Sequence, residues 1–265
     1  MACCILLCTS LAGKSFAYQP TWQDMMHHVL QNSKQWDRVM LTTKVHVFDP
    51  FANENGKGQR SAKVSEWGYQ QKIYWEMNNF LTIETFDHNQ QLLHFYYEAD
   101  GDEVSSITQQ DRYFSKMDVF PHYLLFVVSR GKDWEKALQA INVHGTDISL
   151  YRDKDYSTFY RIGDQSTDHF VLLDQHNFLL KALNYSVRTE EKNHTIQVLF
   201  KRLTKYKKLL SYPIHTDYYL DNRLFKRVVI DSFERPPKLP KEILRQKAIK
   251  WSQNHSALLQ TDYTR

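Results

Sequence analysis

The sequence predicts a mainly β fold with a few helices. Two observations predict it, and a third narrows the function. Short segments of alternating apolar and polar residues recur along most of the 265 residues, separated by turns rich in Asn, Asp and Gly. Aromatic residues reach 14 %, with 16 Tyr and 15 Phe, and these side chains favour a pleated, half-buried surface. Glycine occurs only 8 times, which argues against Gly-rich loops that cradle phosphates. With 42 % hydrophobic and 24 % charged residues the chain is globular, and its length suits one large β domain.

Residues 2–12 form an apolar run. It is too short for a membrane-spanning helix, which takes about 20 residues, and fits the core of a secretory leader. Ser15-Phe16-Ala17 places small residues at the two positions a signal peptidase reads. Residues 1–17 are therefore expected to be a signal peptide and Tyr18 the mature start, although no Lys or Arg precedes the apolar run. All 3 cysteines, Cys3, Cys4 and Cys8, lie in this leader. The rest of the chain can hold no disulfide, thiolate nucleophile or Cys-zinc site.

Thr21 with Asp24 three positions on reads as a capping box. Trp22, Met25, Met26, Val29 and Leu30 then follow helical spacing, predicting an amphipathic helix over 22–34. Strands are expected at 39–48, 64–75, 80–86 and 92–97, with a polar loop at 52–63 and turns at 78–79, 87–89 and 99–102. Residues 118–142 change period: a buried helix opening near Pro121 is broken at Gly131, and Trp134, Ala137, Leu138 and Ile141 form a second stripe. Short strands return at 148–151, 157–162, 169–173 and 178–189, then longer ones at 195–203, 214–220 and 224–233. Asp221-Asn222 suits a two-residue hairpin. The spacing is that of an up-and-down meander. After the proline-rich 236–240, residues 241–259 read as a last helix on the edge of the domain, with Ile243, Leu244, Lys247, Trp251 and Leu258 roughly on one side.

Several functions lack their residues. A net charge of +4 spread along the chain gives no concentrated basic face, so no nucleic-acid partner is expected. There is no Gly-x-Ser-x-Gly elbow, no phosphate-binding Gly-Lys-Ser/Thr loop and no dinucleotide fingerprint. His27 and His28 point about 100° apart on a helix without an i+4 histidine, so they read as a surface pair. Asp100-Gly101-Asp102-Glu103 and Asp153-Lys154-Asp155 read as hairpin turns, lacking the full order of a calcium loop. No metal and no cofactor is expected.

Phe159-Tyr160-Arg161-Ile162-Gly163 is followed by Phe170-Val171-Leu172-Leu173-Asp174-Gln175-His176-Asn177-Phe178-Leu179-Leu180. Val198-Leu199-Phe200-Lys201-Arg202-Leu203 and Tyr212-Pro213-Ile214 come later, before the final hairpin. This pattern resembles the outer-membrane lipoprotein-sorting family, the LolA/LolB-like proteins. That family has a strand ending in Ile-Gly, a strand ending in an Asp-x-x-x-Phe turn, and a Leu-Pro before the last hairpin. Order and spacing agree from about residue 20 to residue 234. Leu172, Leu180 and Tyr212 depart from the Trp, Pro and Leu common in the family, which marks a divergent relative. The resemblance implies a strongly curved antiparallel sheet, an unclosed half-barrel, with helices covering its concave face. It also implies that this face holds acyl chains. The chain then divides into the leader 1–17, a half-barrel domain over 18–240 and a helical extension over 241–265.

On such a sheet every second side chain lines one face. Candidate lining residues are Tyr74, Phe80, Phe95, Tyr97, Phe159, Ile196, Val198, Phe200, Tyr218 and Leu220. Lys201, Arg202, Lys205, Lys207 and Lys208 form the densest basic cluster, expected at a strand end and loop where they could meet lipid head groups or an acidic partner. The expected function is non-catalytic: a periplasmic carrier or sensor of lipid or lipoprotein acyl chains, with an envelope protein or a membrane surface as further partner. The rivals are a partner-binding envelope regulator and a secreted hydrolase. The hydrolase would draw a carboxylate pair from Glu84, Asp87, Glu98, Asp100 and Glu103.

Overall fold

A computed structural model describes residues 19–33, 38–48, 66–76, 80–99, 102–105, 134, 138, 139, 141, 143, 147–188, 193–206, 210–247, 249, 250 and 253. The expected leader, the 52–63 loop, the helix over 118–131 and most of the helix beyond residue 250 lie outside these.

The first element is helix α1 (Trp22–Ser33). Its start is a reciprocal capping box: the Thr21 amide donates to the Asp24 carboxylate at 3.1 Å, and the Asp24 amide donates to Thr21 Oγ1 at 3.2 Å. Met25, Met26 and Val29 form its buried stripe.

Twelve strands follow: β1 (Arg38–Phe48), β2 (Glu66–Glu76), β3 (Phe80–Phe86), β4 (Leu92–Ala99), β5 (Asp102–Ser105), β6 (Ile148–Arg152), β7 (Thr158–Ile162), β8 (Phe170–Asp174), β9 (Leu180–Arg188), β10 (Asn193–Tyr206), β11 (Leu210–Leu220) and β12 (Arg223–Glu234). They form one sheet in the order β5-β4-β3-β2-β1-β12-β11-β10-β9-β8-β7-β6. Every pairing is antiparallel. Two meanders, β1–β5 and β6–β12, therefore meet along one seam, where the first strand pairs with the last. The sheet is an open, curved half-barrel bounded by β5 and β6.

Local chemistry sets the turns. Asp221 and Asn222 both have positive φ, 48° and 66°, as a two-residue hairpin matched to strand twist requires. Gly163 ends β7 at φ 127°, and a Cβ there would lie 2.6 Å from the His169 carbonyl oxygen. The Arg161 guanidinium holds this corner by donating to the carbonyls of Gly163, Asp164 and Thr167. After β8 the Asp174 carboxylate accepts from the amides of His176 and Asn177, shaping the turn that ends at Phe178.

One face carries the main core. Leu41, Ile73, Ile83, Val198, Tyr218 and Ile230 belong to it, together with Met25 of α1 and Trp134 and Leu138 of the β5–β6 connection. Helical residues thus cover the concave face, as expected. Trp134, Leu138 and Ile141 of the second helical stripe are all buried there. The His28 ring stacks on Phe178 with centroids 4.7 Å apart, and Phe178 stacks on Tyr160 at 5.5 Å. The helix is thereby pinned across the seam to the second meander.

Two strands differ from expectation. β10 continues through Lys205 to Tyr206, so the basic run is strand for longer than its composition suggests. β11 begins before Pro213, which pairs with Leu203 on one side; the pairing with β12 starts only at His215. Proline is tolerated there because no ladder partner needs its missing N–H. A further difference is the four-residue β5, which begins at the last residue of the turn expected over 99–102.

Candidate binding surface

The alternation of each strand decides what faces the concave side. Even positions of β10 and β11 do so, and Ile196, Val198, Phe200 and Tyr218 are buried in the core there. Leu220 packs against the same core, half-buried. In β2–β4 the facing positions are Tyr69, Ile73, Leu81, Ile83 and Tyr96. Tyr74, Phe95 and Tyr97 have the opposite parity. They form a separate buried cluster on the convex face, under Leu239 and Leu244 of the C-terminal segment. Phe159 alternates with the core residues Tyr160 and Ile162, which puts it on the convex side, half-buried. The side chain of Phe80 lies outside the described residues. The structure thus brings five of the ten candidates together and places four on the other face.

That other cluster has a physical cause. The chain after β12 turns back over the sheet instead of lying at its edge. The Tyr74 hydroxyl donates to the Pro237 carbonyl at 3.2 Å and accepts from the Leu239 amide at 3.3 Å. Helical residues 241–247 follow, and Lys247 pairs with Glu84. Burial, with Glu76 nearby, raises the Tyr74 pKa against the Leu239 hydrogen bond, which lowers it. Leu244 makes the inward contact, whereas Ile243 is 61 % exposed.

The concave face also contains polar groups that sequence reasoning did not single out. Lys226 is 4 % exposed, and its ammonium sits 4.2 Å from the centroid of the Tyr218 ring. Thr43, Gln71, Thr85 and Thr216 are buried among the apolar residues. Their signal was present as interruptions in otherwise apolar alternation, as in Leu41-x-Thr43-x-Val45 and Leu81-x-Ile83-x-Thr85.

The basic cluster divides. Lys201 lies on the convex face and is bound to Asp217 at 2.7 Å. Arg227 binds the same carboxylate through Nε at 2.6 Å and Nη2 at 3.1 Å. Burial opposes the Asp217 charge, but the hydrogen bonds from Arg227 and Lys201 outweigh it and hold the carboxyl below its usual range. The same contact raises the Lys201 pKa, against its partial burial. His215 is lowered by burial and by the nearby charges of Arg202 and Arg227. Arg202 is exposed, with φ of 51°. Lys205 belongs to β10, but its side chain, and all of Lys207 and Lys208, fall outside the described residues.

A cleft of about 440 Å³ opens between residues 19–22, Asp147, Ile148, Asp164 and Gln165. Two carboxylates line it, Asp147 and Asp164. Asp164 accepts from the Ser166 amide and hydroxyl, both at 2.8 Å, which lowers its pKa. A carboxyl held ionised by its own turn is poorly suited to act as a general acid. Among the described residues no three His, Cys, Asp or Glu side chains gather as a metal site, and no helix is long and apolar enough to cross a membrane.

No protein-family model and no curated protein matches the sequence. Solved structures do. A LolA superfamily protein of Nitrosomonas europaea superposes with a TM-score of 0.52 at 11 % identity, covering 84 % of this chain and 97 % of that one. A domain described as an outer membrane lipoprotein-sorting protein, from Vibrio parahaemolyticus, superposes with a TM-score of 0.52 at 7 % identity, covering 87 % and 98 %. Over nearly the whole length of both neighbours, this chain has the fold of the LolA-like proteins.

Proposed function

We propose that the chain is a periplasmic carrier or sensor that holds an acyl chain of a lipid or lipoprotein against the concave face of its sheet. The observation that supports this reading best is the architecture of that face. Each strand from β4 to β7 presents apolar core residues on it, and its described covering is helical, not a second sheet. A hydrocarbon entering there would displace helices, which breaks no ladder hydrogen bond of the sheet. Each methylene transferred from water contributes about 0.8 kcal/mol before the costs of binding.

Native mass spectrometry of protein purified from the periplasm tests this. A copurified or exchangeable lipid adduct is the expected result. A bare mass together with no uptake from added phospholipid or acylated peptide removes the reading.

A second reading, a partner-binding envelope protein, is favoured by β6. This terminal strand leaves Leu150 and Tyr151 exposed, and Tyr156 of the adjoining turn is 75 % exposed. Lipid-free protein that forms a stable complex with an envelope protein, lost on changing Tyr151 to Lys, would support it instead.

A further inference from the structure

The concave face is crossed by a polar row, one residue per strand. Thr43 of β1 stands opposite Gln71 of β2, Gln71 opposite Thr85 of β3, and Thr85 opposite His94 of β4. Each shares its parity with core residues of its own strand: Leu41 and Val45, Tyr69 and Ile73, Ile83, and Tyr96. The four side chains therefore lie side by side, transverse to the strands, on the inner surface. Thr43 and Thr85 are fully buried, and Gln71 is nearly so. The Gln71 carboxamide donates to Thr85 Oγ1 across 3.4 Å, at the long limit for such a bond. Thr43 Oγ1 is buried and, among the described residues, has no hydrogen-bond partner.

A hydroxyl in that state lowers stability. Valine has nearly the same shape, suits a strand equally well and would bring no such penalty. A buried polar group that the fold does not use calls for a partner from outside it. The chemistry of the row defines that partner. Its three buried members, Thr43, Gln71 and Thr85, carry no charge and each both donates and accepts, whereas His94 at the end of the row is only half-buried. They match a neutral carbonyl or hydroxyl, and a bare hydrocarbon offers them nothing.

We propose that this row receives the polar end of a neutral acyl ester or acyl amide, and so sets how deep the chain sits against the sheet. The inference rests on the acyl-binding reading above and specifies its ligand. The two sources of such chemistry, a free acylglycerol and an acylated peptide, are separated by the probes.

The experiment is displacement of bound 1-N-phenylnaphthylamine from the full chain by hexadecane, monopalmitoylglycerol and an N-palmitoyl peptide. It is run on wild type, Thr43→Val and Thr43→Ser, with thermal melts of each free protein. Expected for Thr43→Val is an unchanged or higher melting temperature, unchanged hexadecane affinity, and about 3–10-fold weaker binding of one or both headed probes, the scale of one lost hydrogen bond. Thr43→Ser keeps the hydroxyl and should stay within about twofold of wild type. Weakening for the glycerol ester alone identifies a free lipid; weakening for the palmitoyl peptide alone identifies a lipoprotein. A Thr43→Val protein that melts lower and binds all probes as before overturns the inference, because the hydroxyl then serves the fold through internal water. Equal weakening for hexadecane overturns it as well. If wild type releases the dye to none of the probes, the acyl-binding reading falls and this inference with it.

Discussion

At the scale of single residues, the convex ion cluster and the Gly163 corner carry measurable consequences. Asp217 is 1 % exposed, while its partners Arg227 and Lys201 are 38 % and 43 % exposed. Replacing it with Asn strips two cations of a shared acceptor, with part of that loss screened by water. The expected cost is about 2 kcal/mol, read from urea unfolding. The pH dependence has a definite sign. His215 is harder to protonate in the folded chain than in the unfolded one, so stability falls as pH drops below about 6.5. Asp217 is depressed in the folded state, so a second loss begins below about pH 4 and continues through its folded pKa. Thermal melts from pH 8 to pH 3 should show both steps, the first reduced in His215→Gln and the second in Asp217→Asn. Gly163→Ala adds a Cβ where the His169 carbonyl stands 2.6 Å away, at φ 127°. A destabilisation of about 2–3 kcal/mol is expected in the same unfolding assay.

At the scale of elements, the C-terminal segment acts as a strap over β2–β4. Removing residues after Glu234 uncovers Tyr74, Phe95 and Tyr97, three aromatic side chains now at most 5 % exposed. The truncated chain should bind more of a hydrophobic dye and lose about 2–4 kcal/mol. Spectrophotometric titration should also show the Tyr74 pKa falling back toward 10, because the burial that raises it is gone. This strap also explains what the sequence hid. Strand existence was legible, because turn residues such as Asp87-His88-Asn89 and Asp221-Asn222 bracket the alternating runs. Helix α1 was legible from its capping box. The facing of the candidate residues was legible only in β10 and β11, where one parity is apolar and the other largely polar. In β2 and β4 both parities carry aromatics, since both faces are covered. Periodicity cannot rank two buried faces without knowing where the distant residues 236–247 fold back. The inner polar row escaped for the same reason: its members become neighbours only through register.

At the scale of the whole molecule, the half-barrel consists of two consecutive lengths of chain. Residues up to Ser105 build β1–β5, and residues from Ile148 onward build β6–β12. They join along β1 and β12, whose ladder carries a bulge where Asp231 is left over between Ile230 and Ser232. Helix α1 belongs to the first length but rests on Phe178 of the second, and Gln19 reaches the carbonyl of Ile148. Antiparallel pairing between distant strands makes such a topology slow to assemble. It also makes it divisible. Severed between residues 105 and 134 and produced as two polypeptides, the chain should reconstitute a single particle, detected as co-elution of both pieces in gel filtration. A β12 strand carrying Val228→Pro on its inner ladder should abolish that rejoining. Two pieces of one gene product that find each other through a single shared border would make this scaffold a natural split sensor, its reassembly reporting whatever brings the halves within reach.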